Sequence, residues 1–466
     1  MKRELLCVFS FLCCALIALP GTAQDVDDHQ GVSNILGAGA RAWAMGGAFI
    51  ALADDATAAS WNPAGLAQLV RPETSLAFDT GRGDIEWRYR YASRTAQGTE
   101  TLESIRDTGK TDFSGVAFAS ATWPFRPRGH LLVGQLSYRK LSTFPGILNP
   151  YVTRTTISAP DGALVSTTEN ANVFETSYGG GFDSFGVSLA GRVTPKLSVG
   201  VTANAISGDV SSETIVSESA GALTRSAEMG MTYRFSGLAF DVGVLYRPIE
   251  KVSLGAVYHS GFTAPFWYES TLDSPGWPQL RHGGHARMKW PDGFGAGVAF
   301  KPTDYLTISM DGAVTHWAAA TVDEVISSQL SYDAQDGWKP EFLERQDLGF
   351  PYFGVRQRDT TNLRLGAEYV TFYHDVTFPF RVGLFREEQA TNAWDTAEDL
   401  QPQPRYSGYT AGFGIAVGRV QVDLAYVRTH GTDRGRIGVV DGQLTTEVEE
   451  STVRNQRLIL SALVRF

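Results

Sequence analysis

The amino-acid sequence predicts an all-β protein: a transmembrane antiparallel β-barrel of 14 strands, with an N-terminal segment folded into the lumen as a hatch or plug. Three observations predict the barrel. Apolar and polar residues alternate over segment after segment, short connections take turns with long ones, and the final strand ends on an outward phenylalanine. Composition narrows the field further. Of 466 residues, 43% are hydrophobic and 19% charged, with 26 Phe, 17 Tyr, 10 Trp and 49 Gly. So many rings exclude a disordered chain, and low charge with abundant glycine excludes a coiled coil. Beyond the N-terminus no stretch approaches the roughly 18 apolar residues that a spanning helix needs. The formal charge is −10 and the sequence has no basic tract, so nucleic acid is not an expected partner.

The first element, residues 1–23, reads as a secretory signal peptide. Lys2 and Arg3 form its basic start, Leu5 to Pro20 its apolar core, and Gly21-Thr22-Ala23 a small-residue cleavage site. The core is short for a membrane anchor and is followed by Asp25, Asp27 and Asp28. Cleavage would remove Cys7, Cys13 and Cys14, which are all the cysteines, leaving no disulfide, thiolate metal site or thiol nucleophile. No lipobox precedes Cys13 or Cys14, which argues against a lipid anchor.

The strands follow from residue 73 onward. Leu306, Ile308, Met310, Gly312 and Val314 alternate with Thr307, Ser309, Asp311 and Ala313. Leu363, Leu365, Ala367 and Tyr369 alternate with Asn362, Arg364, Gly366 and Glu368, and the same pattern runs through 196–205 and 421–427. Successive side chains of a strand point to opposite faces, so each segment has one apolar face and one polar or glycine face.

A soluble sandwich would alternate in the same way, and the connections decide against it. Candidates 113–122 and 130–139, 182–191 and 196–206, 234–246 and 251–260, 292–300 and 305–316, 362–371 and 379–386, and 408–417 and 420–428 are joined by short turns. The intervening links, 140–181, 207–233, 261–291, 317–361, 387–407 and 429–456, are long, polar and rich in Gly and Pro. Loops of that length are uncommon in compact soluble domains, whereas short turns on one side and long loops on the other suit an outer-membrane barrel. The C-terminal segment 457–466 puts Leu458, Leu460, Ala462, Val464 and Phe466 on one face. That ending resembles the C-terminal signature of such barrels, and Phe466 is the signal expected to bring in the barrel-assembly machinery. With both ends in the periplasm the strand count must be even, so residues 73–92 count once, as a single strand with Gly81-Arg82-Gly83 as the place for a break. The barrel then spans residues 73–466.

Residues 24–72 do not alternate. They carry Gly37-Ala-Gly-Ala-Arg41, Gly46-Gly47, Ala53-Asp54-Asp55-Ala56 and Asn62-Pro63-Ala64-Gly65-Leu66. Small side chains let backbone pack closely in a confined space, as a segment inside a lumen must. These elements resemble the N-terminus of the FadL/TodX family of outer-membrane transport proteins for hydrophobic compounds. Asn362–Tyr369 and Tyr409–Gly414 are also similar to that family's barrel strands. The resemblance implies a 14-stranded barrel with an N-terminal hatch at 24–72, in which Asp54, Asp55, Asn62, Pro63 and Ala64 form the hatch motif. It further implies passive uptake of a hydrophobic small molecule, long-chain fatty acids first, by binding, hatch movement and lateral release through the wall. Spacing alone equally suits a helix-ending turn at Asn62-Pro63. Secretion-system proteins of PorV type share a similar N-terminus, and protein cargo is therefore the alternative function.

No pocket motif can be carried over from the family. The inferred lumen face bears Asp241, Asp311, Arg364, Glu368, Asp423 and Arg465, as a solvated, salt-bridged interior would. Candidate residues for first contact with a greasy ligand are Phe262, Phe266, Trp267 and Tyr268 in one long link, and Trp338, Phe342, Phe350, Tyr352 and Phe353 in another. The same rings also suit an aromatic girdle at the membrane interface. His282-Gly-Gly-His285 lacks a third metal ligand nearby, and Gly37–Ala42 has no preceding strand that would make it a nucleotide loop. The eight histidines form no local pattern with serine, so neither a metal, a cofactor nor an enzyme activity is expected. Expected partners are the hydrophobic ligand, outer-membrane lipid, lipopolysaccharide and the assembly machinery.

Overall fold

The computed structural model describes residues 37–94, 100–143, 146–158, 164–220, 223–273, 280–333, 337–342, 357–390, 402–437 and 444–466. The expected signal peptide and residues 24–36 lie outside them.

Fourteen antiparallel strands close into one barrel. In chain order they are β1 (Glu73–Arg94), β2 (Glu100–Phe125), β3 (Leu132–Thr143, continued by Gly146–Ser158) and β4 (Leu164–Thr194). β5 (Leu197–Ala220), β6 (Leu223–Ile249), β7 (Val252–His259, continued by Phe262–Asp273) and β8 (Leu280–Trp290, then Gly293–Phe300) come next. β9 (Leu306–Thr315, then Thr321–Asp333), β10 (Thr360–Tyr373), β11 (Val376–Glu388), β12 (Arg405–Val417), β13 (Val420–Ile437) and β14 (Leu444–Arg465) complete the sheet. Closure is through β1 and β14, from Glu73 opposite Arg465 onward, and the Phe466 amide donates to the Pro72 carbonyl at 2.9 Å. β1 is one unbroken strand: Gly81, Arg82 and Gly83 pair with both neighbours, β2 and β14.

Polarity runs opposite to that of a soluble protein. Ile308, Met310, Leu363, Leu365, Phe185 and Val187 are exposed on the outside, while Thr307, Ser309, Asp311, Asn362 and Arg364 are buried inside. Lipid solvates the apolar exterior, and the sheet closes on itself through β1 and β14.

The long links differ from the loops expected of them. Much of 164–181, 207–220 and 223–233 continues β4, β5 and β6 as a paired ribbon, with Ala171 opposite Ser219 and Ser217 opposite Ser226. A ribbon with polar residues on both faces has no periodicity to announce it. Phe262, Phe266, Trp267 and Tyr268 therefore lie on a strand, and Trp338 and Phe342 lie on a short strand, Gly337–Phe342, paired with the outer part of β9. Phe350, Tyr352 and Phe353 lie outside the described residues.

Residues 37–69 occupy the barrel interior, and 70–72 lead out to β1. A five-residue helix (Ala40–Ala44) and two 3₁₀ turns (Ala58–Ser60 and Pro63–Gln68) carry side chains that are almost all buried. Trp43, Met45, Phe49, Leu52, Trp61 and Leu66 share an apolar core with the inward Val133, Ala299, Phe385, Val427 and Ile459. The wall makes room by placing glycines opposite one another: Gly200 faces Gly243, Gly255 faces Gly297, and Gly366 faces Gly383 across their strand pairs. A Cβ on Gly366 would collide with the Met45 carbonyl, one on Gly383 with the Gly46 amide, and one on Gly255 with the Ile50 carbonyl. The segment thus lies backbone against backbone on the wall.

Overpacking a filled core costs about 1–3 kcal/mol, and about 1.4 kcal/mol is tenfold in an equilibrium constant. Gly366→Val or Gly383→Val should therefore leave a folded barrel but speed tryptic cleavage after Arg41 by about tenfold. Gly312→Ala, where the nearest atom to a new Cβ is 3.6 Å away, should leave that rate unchanged.

Candidate functional site

The polar side chains of the inner face hold the interior segment in place. Asp311 of β9 accepts the Phe49 and Ile50 amides on one carboxylate oxygen, at 2.6 and 2.8 Å. Thr410 of β12 accepts from the Gly46 amide at 2.9 Å and donates to the Ala44 carbonyl at 2.8 Å. Ser120 and Gln135 both donate to the Ala56 carbonyl at 2.8 Å. Small residues have no side-chain polar groups of their own, so the wall satisfies the amides and carbonyls they bury.

The motif residues sit in this lining. Asn62 caps the second 3₁₀ turn: its Oδ1 accepts from the Ala64 amide at 3.1 Å. Its Nδ2 donates to the Ile50 carbonyl at 2.9 Å and to the Val244 carbonyl of β6 at 3.0 Å, tying segment to wall. Pro63 is the first residue of that turn, where its missing N–H costs nothing. Asp55 accepts from the Thr57 amide at 2.8 Å. Arg41 links Asp54 (2.5 Å), Asp55 (3.4 Å) and the β10 Glu368 (3.0 Å). Glu368 and Asp423 are also bound by Arg381, at 2.6 and 2.7 Å. Burial pushes the Asp54 carboxyl pKa up, but Arg41, with help from Lys301, overrides it and holds the group below the usual carboxylate range. The clamp is therefore present at neutral pH and is lost only as pH falls through that lowered value.

Beyond this segment, away from the short turns, two further layers line the lumen. The first is polar. Ser184 donates to Asn204 Oδ1 at 3.3 Å, Asn204 donates to Asp241 at 2.8 Å, and Asp241 meets His259 Nδ1 at 2.7 Å. Arg139 of β3 joins the layer through a 3.3 Å bond to the Ser60 carbonyl. It is buried, and Asp241 attracts it only from beyond contact. Among the described residues, Arg41, Arg364 and Arg381 each have a carboxylate partner in the lumen, whereas Arg139 has none within salt-bridge distance.

The second layer is aromatic. Phe182 lies just beyond Ser184 on β4, Phe235 beyond Asp241 on β6, and Trp290 beyond Gly293 on β8. Phe182 and Phe235 meet edge to face at 4.5 Å, Phe182 and Trp290 at 5.4 Å, and Trp290 and Trp317 at 5.9 Å. Phe262 stacks on Trp290 at 5.7 Å, and Ile206, Met288 and Leu141 complete the cluster. A pocket lined by Pro291 and Gly293, which follow Trp290 in sequence, is also lined by Ile50, Trp61, His259 and Asp311.

Leu141 brings this cluster to a break in the wall. β2 and β3 pair from Phe125 opposite Leu132 to Phe118 opposite Arg139, and pair again at Lys110 opposite Ile147. Between them Lys140, Ser142 and Thr143 pair with β4, and Ser114, Gly115 and Val116 pair with β1, with no pairing of the two stretches to each other among the described residues. A register shift sits on each side, after Ala77 opposite Phe118 and at Leu141. Bulges of this kind bend a strand and end its pairing.

Of the aromatic contact candidates, Phe262 is in the cluster and Trp267 is exposed. The side chains of Phe266, Tyr268, Trp338 and Phe342 are not among those described. Sequence reading missed Phe182, Phe235, Trp290 and Trp317. The signal available was an aromatic residue on an inner face otherwise made of Ser, Gly and Asp.

Comparison with solved structures finds the same barrel. A Pseudomonas aeruginosa FadL homologue matches with a TM-score of 0.62 at 14% identity, over 96% of this chain and all of that one. The chain has the FadL/TodX fold. The Ralstonia pickettii toluene transporter TbuX matches at 0.56 and 15% identity, over 93% of this chain and 99% of that one. The Pseudomonas putida toluene transporter TodX matches at 0.55 and 14% identity, over the same shares. No protein-family model matches, and no curated protein is similar in sequence. With this fold and a lipid-facing apolar exterior, the chain is a multi-pass barrel of the outer membrane.

Removing the Asp311 carboxylate strands two buried amides, each at about 1–3 kcal/mol. Asp311→Ala should accelerate hydrogen exchange at residues 49 and 50 by at least about tenfold. Asp311→Asn keeps an acceptor oxygen and should show a smaller effect.

Proposed function

We propose that the protein is an outer-membrane channel for passive uptake of hydrophobic small molecules, with long-chain fatty acids as its leading cargo. One observation carries the reading: a cluster of five aromatic rings inside the lumen extends, through Leu141, to the break between β2 and β3. An apolar molecule entering from the outside meets these rings and can leave sideways into lipid without crossing the polar layer below. Edge-to-face and stacked ring contacts are worth about 0.5–1.5 kcal/mol each beyond area burial, so a planar or chain-like ligand can replace them without a large cost. The named neighbours, a FadL homologue and two toluene transporters, support the hydrophobic class.

Arg139 favours a carboxylate-bearing cargo. It lies beside the break, next to Leu141, and is a buried lumenal arginine with no acidic side chain within salt-bridge distance among the described residues. A fatty acid could set its headgroup there and its chain along Phe182 and Phe235. In this reading residues 24–72 act as a hatch, the Asn62 bonds to Ile50 and Val244 being among those that must break for it to move. The C-terminal strand with its outward Phe466 serves as the assembly signal.

The test is uptake of labelled oleate by cells that lack their own fatty-acid channel and express this protein at the surface. Uptake well above the empty-vector control is expected, and its absence from a correctly inserted barrel would remove fatty acid as cargo. Arg139→Leu should reduce oleate uptake about tenfold while leaving toluene entry nearly unchanged, and Trp290→Ala should depress both. An Asn62→Ala/Pro63→Ala variant should insert normally but transport poorly. Wild-type rates in that variant would take the hatch out of the mechanism.

A further inference from the structure

The periplasmic rim carries charge that the channel reading does not use. Although the chain has a net charge of −10, one side of the ring of short turns is strongly basic. Arg71 precedes β1, Arg126 and Arg128 lie between β2 and β3, Arg192 at the end of β4, Lys196 between β4 and β5, Lys251 between β6 and β7, and Lys301 between β8 and β9. All seven are exposed, and none forms a salt bridge among the described residues. The exposed acids on the same arc are Glu250 and Asp304. The remaining turns, at His374-Asp375 and Gly418-Arg419, carry no such excess. Lys251 donates to the Pro302 carbonyl at 3.3 Å and Lys301 attracts Asp54 from beyond contact, but no acidic contact neutralises any of the seven among the described residues, so like charges accumulate along this stretch of rim.

Their height relative to the membrane is set by neighbouring rings. Trp123 and Phe125 at the end of β2, Tyr246 at the end of β6 and Tyr373 at the end of β10 are exposed and have the outward parity of their strands. Aromatic residues in such a belt sit at headgroup level. The arc therefore lies at the headgroups of the periplasmic leaflet, where unpaired arginine and lysine meet lipid phosphate.

We infer that the basic arc Arg71–Lys301 on the periplasmic rim binds the headgroups of anionic phospholipids in the inner leaflet, holding a patch of acidic lipid beneath the β1–β9 side of the barrel. Guanidinium and ammonium groups recognise phosphate by charge-assisted hydrogen bonds. Binding should weaken with salt, because the exposed groups are screened within about 10 Å at 0.1 M. The lateral position also matters, since the β2–β3 break lies on this same side of the barrel.

The experiment uses the full-length folded protein in bilayer nanodiscs of zwitterionic lipid with a graded fraction of phosphatidylglycerol. Lipids that remain bound after extraction are counted by native mass spectrometry. The wild-type protein should retain phosphatidylglycerol several-fold over its share of the bilayer. The variant Arg126→Gln/Arg128→Gln/Arg192→Gln/Lys196→Gln should lose at least half of that enrichment, and Arg419→Gln on the far side should keep it. Retention in simple proportion to bilayer composition by the wild type would overturn the proposal, as would full enrichment in the fourfold variant. Displacement of the bound lipid by millimolar inorganic phosphate would show a site for free phosphate and would equally overturn it. The wild-type comparison between lipids stands whatever the folding of the variants, and oleate uptake plays no part in the readout.

Discussion

A barrel of fourteen strands encloses more space than its own inward side chains can fill. Everything else in this molecule follows from how that space is occupied. The lower half is filled by the chain's own N-terminal segment, and because the filler is backbone rather than large side chains, the wall must come close to it. Opposed glycines at Gly200–Gly243, Gly255–Gly297 and Gly366–Gly383 provide that approach. They sit on the inner face, where their lost packing is replaced by contact with the segment, while the outer face keeps its full apolar dress toward lipid.

Close backbone packing brings an obligation. Each buried amide and carbonyl of residues 37–72 needs a partner, and the segment's Ala- and Gly-rich sequence supplies few. Asp311, Thr410, Ser120, Gln135 and Ser461 of the wall supply them instead. The Arg41–Glu368–Arg381–Asp423 network adds charges that compensate one another in place. A buried charge left alone is expensive, and a paired one is tolerable. The lumenal carboxylates are thus part of how the segment is seated.

Above the segment the lining changes to aromatic within a few residues along β4, β6 and β8. That step puts the apolar surface at the height of the β2–β3 break, with Leu141 belonging to both. Fold and function meet at this point: the bulge that interrupts the ladder also turns strand β3 so that an inward residue touches the ring cluster. A continuous ladder would close the wall, and a polar layer at that height would repel the cargo.

The sequence by itself determined the barrel. Strict alternation in 305–316 and 362–371, short turns at Thr194-Pro195 and Gly418-Arg419, and the C-terminal Phe466 are local signals, each set by the two-residue repeat of a strand or by turn chemistry. The inner face was legible for the same reason, so Asp241, Asp311, Arg364, Glu368 and Asp423 were placed correctly inside. Only the tertiary structure decided which of these residues meet. Phe182, Phe235, Trp290 and Trp317 come from four separate stretches and form a cluster only after the register of β4 to β9 is set. The β2–β3 break depends on bulges near Ala117 and at Leu141 that no local pattern marks. The strand extensions beyond the membrane were invisible because their sequence is polar at both parities, so no two-residue repeat marks them. Periodicity records the environment of one residue at a time, whereas a site is made of pairs, and pairing is a property of the closed sheet.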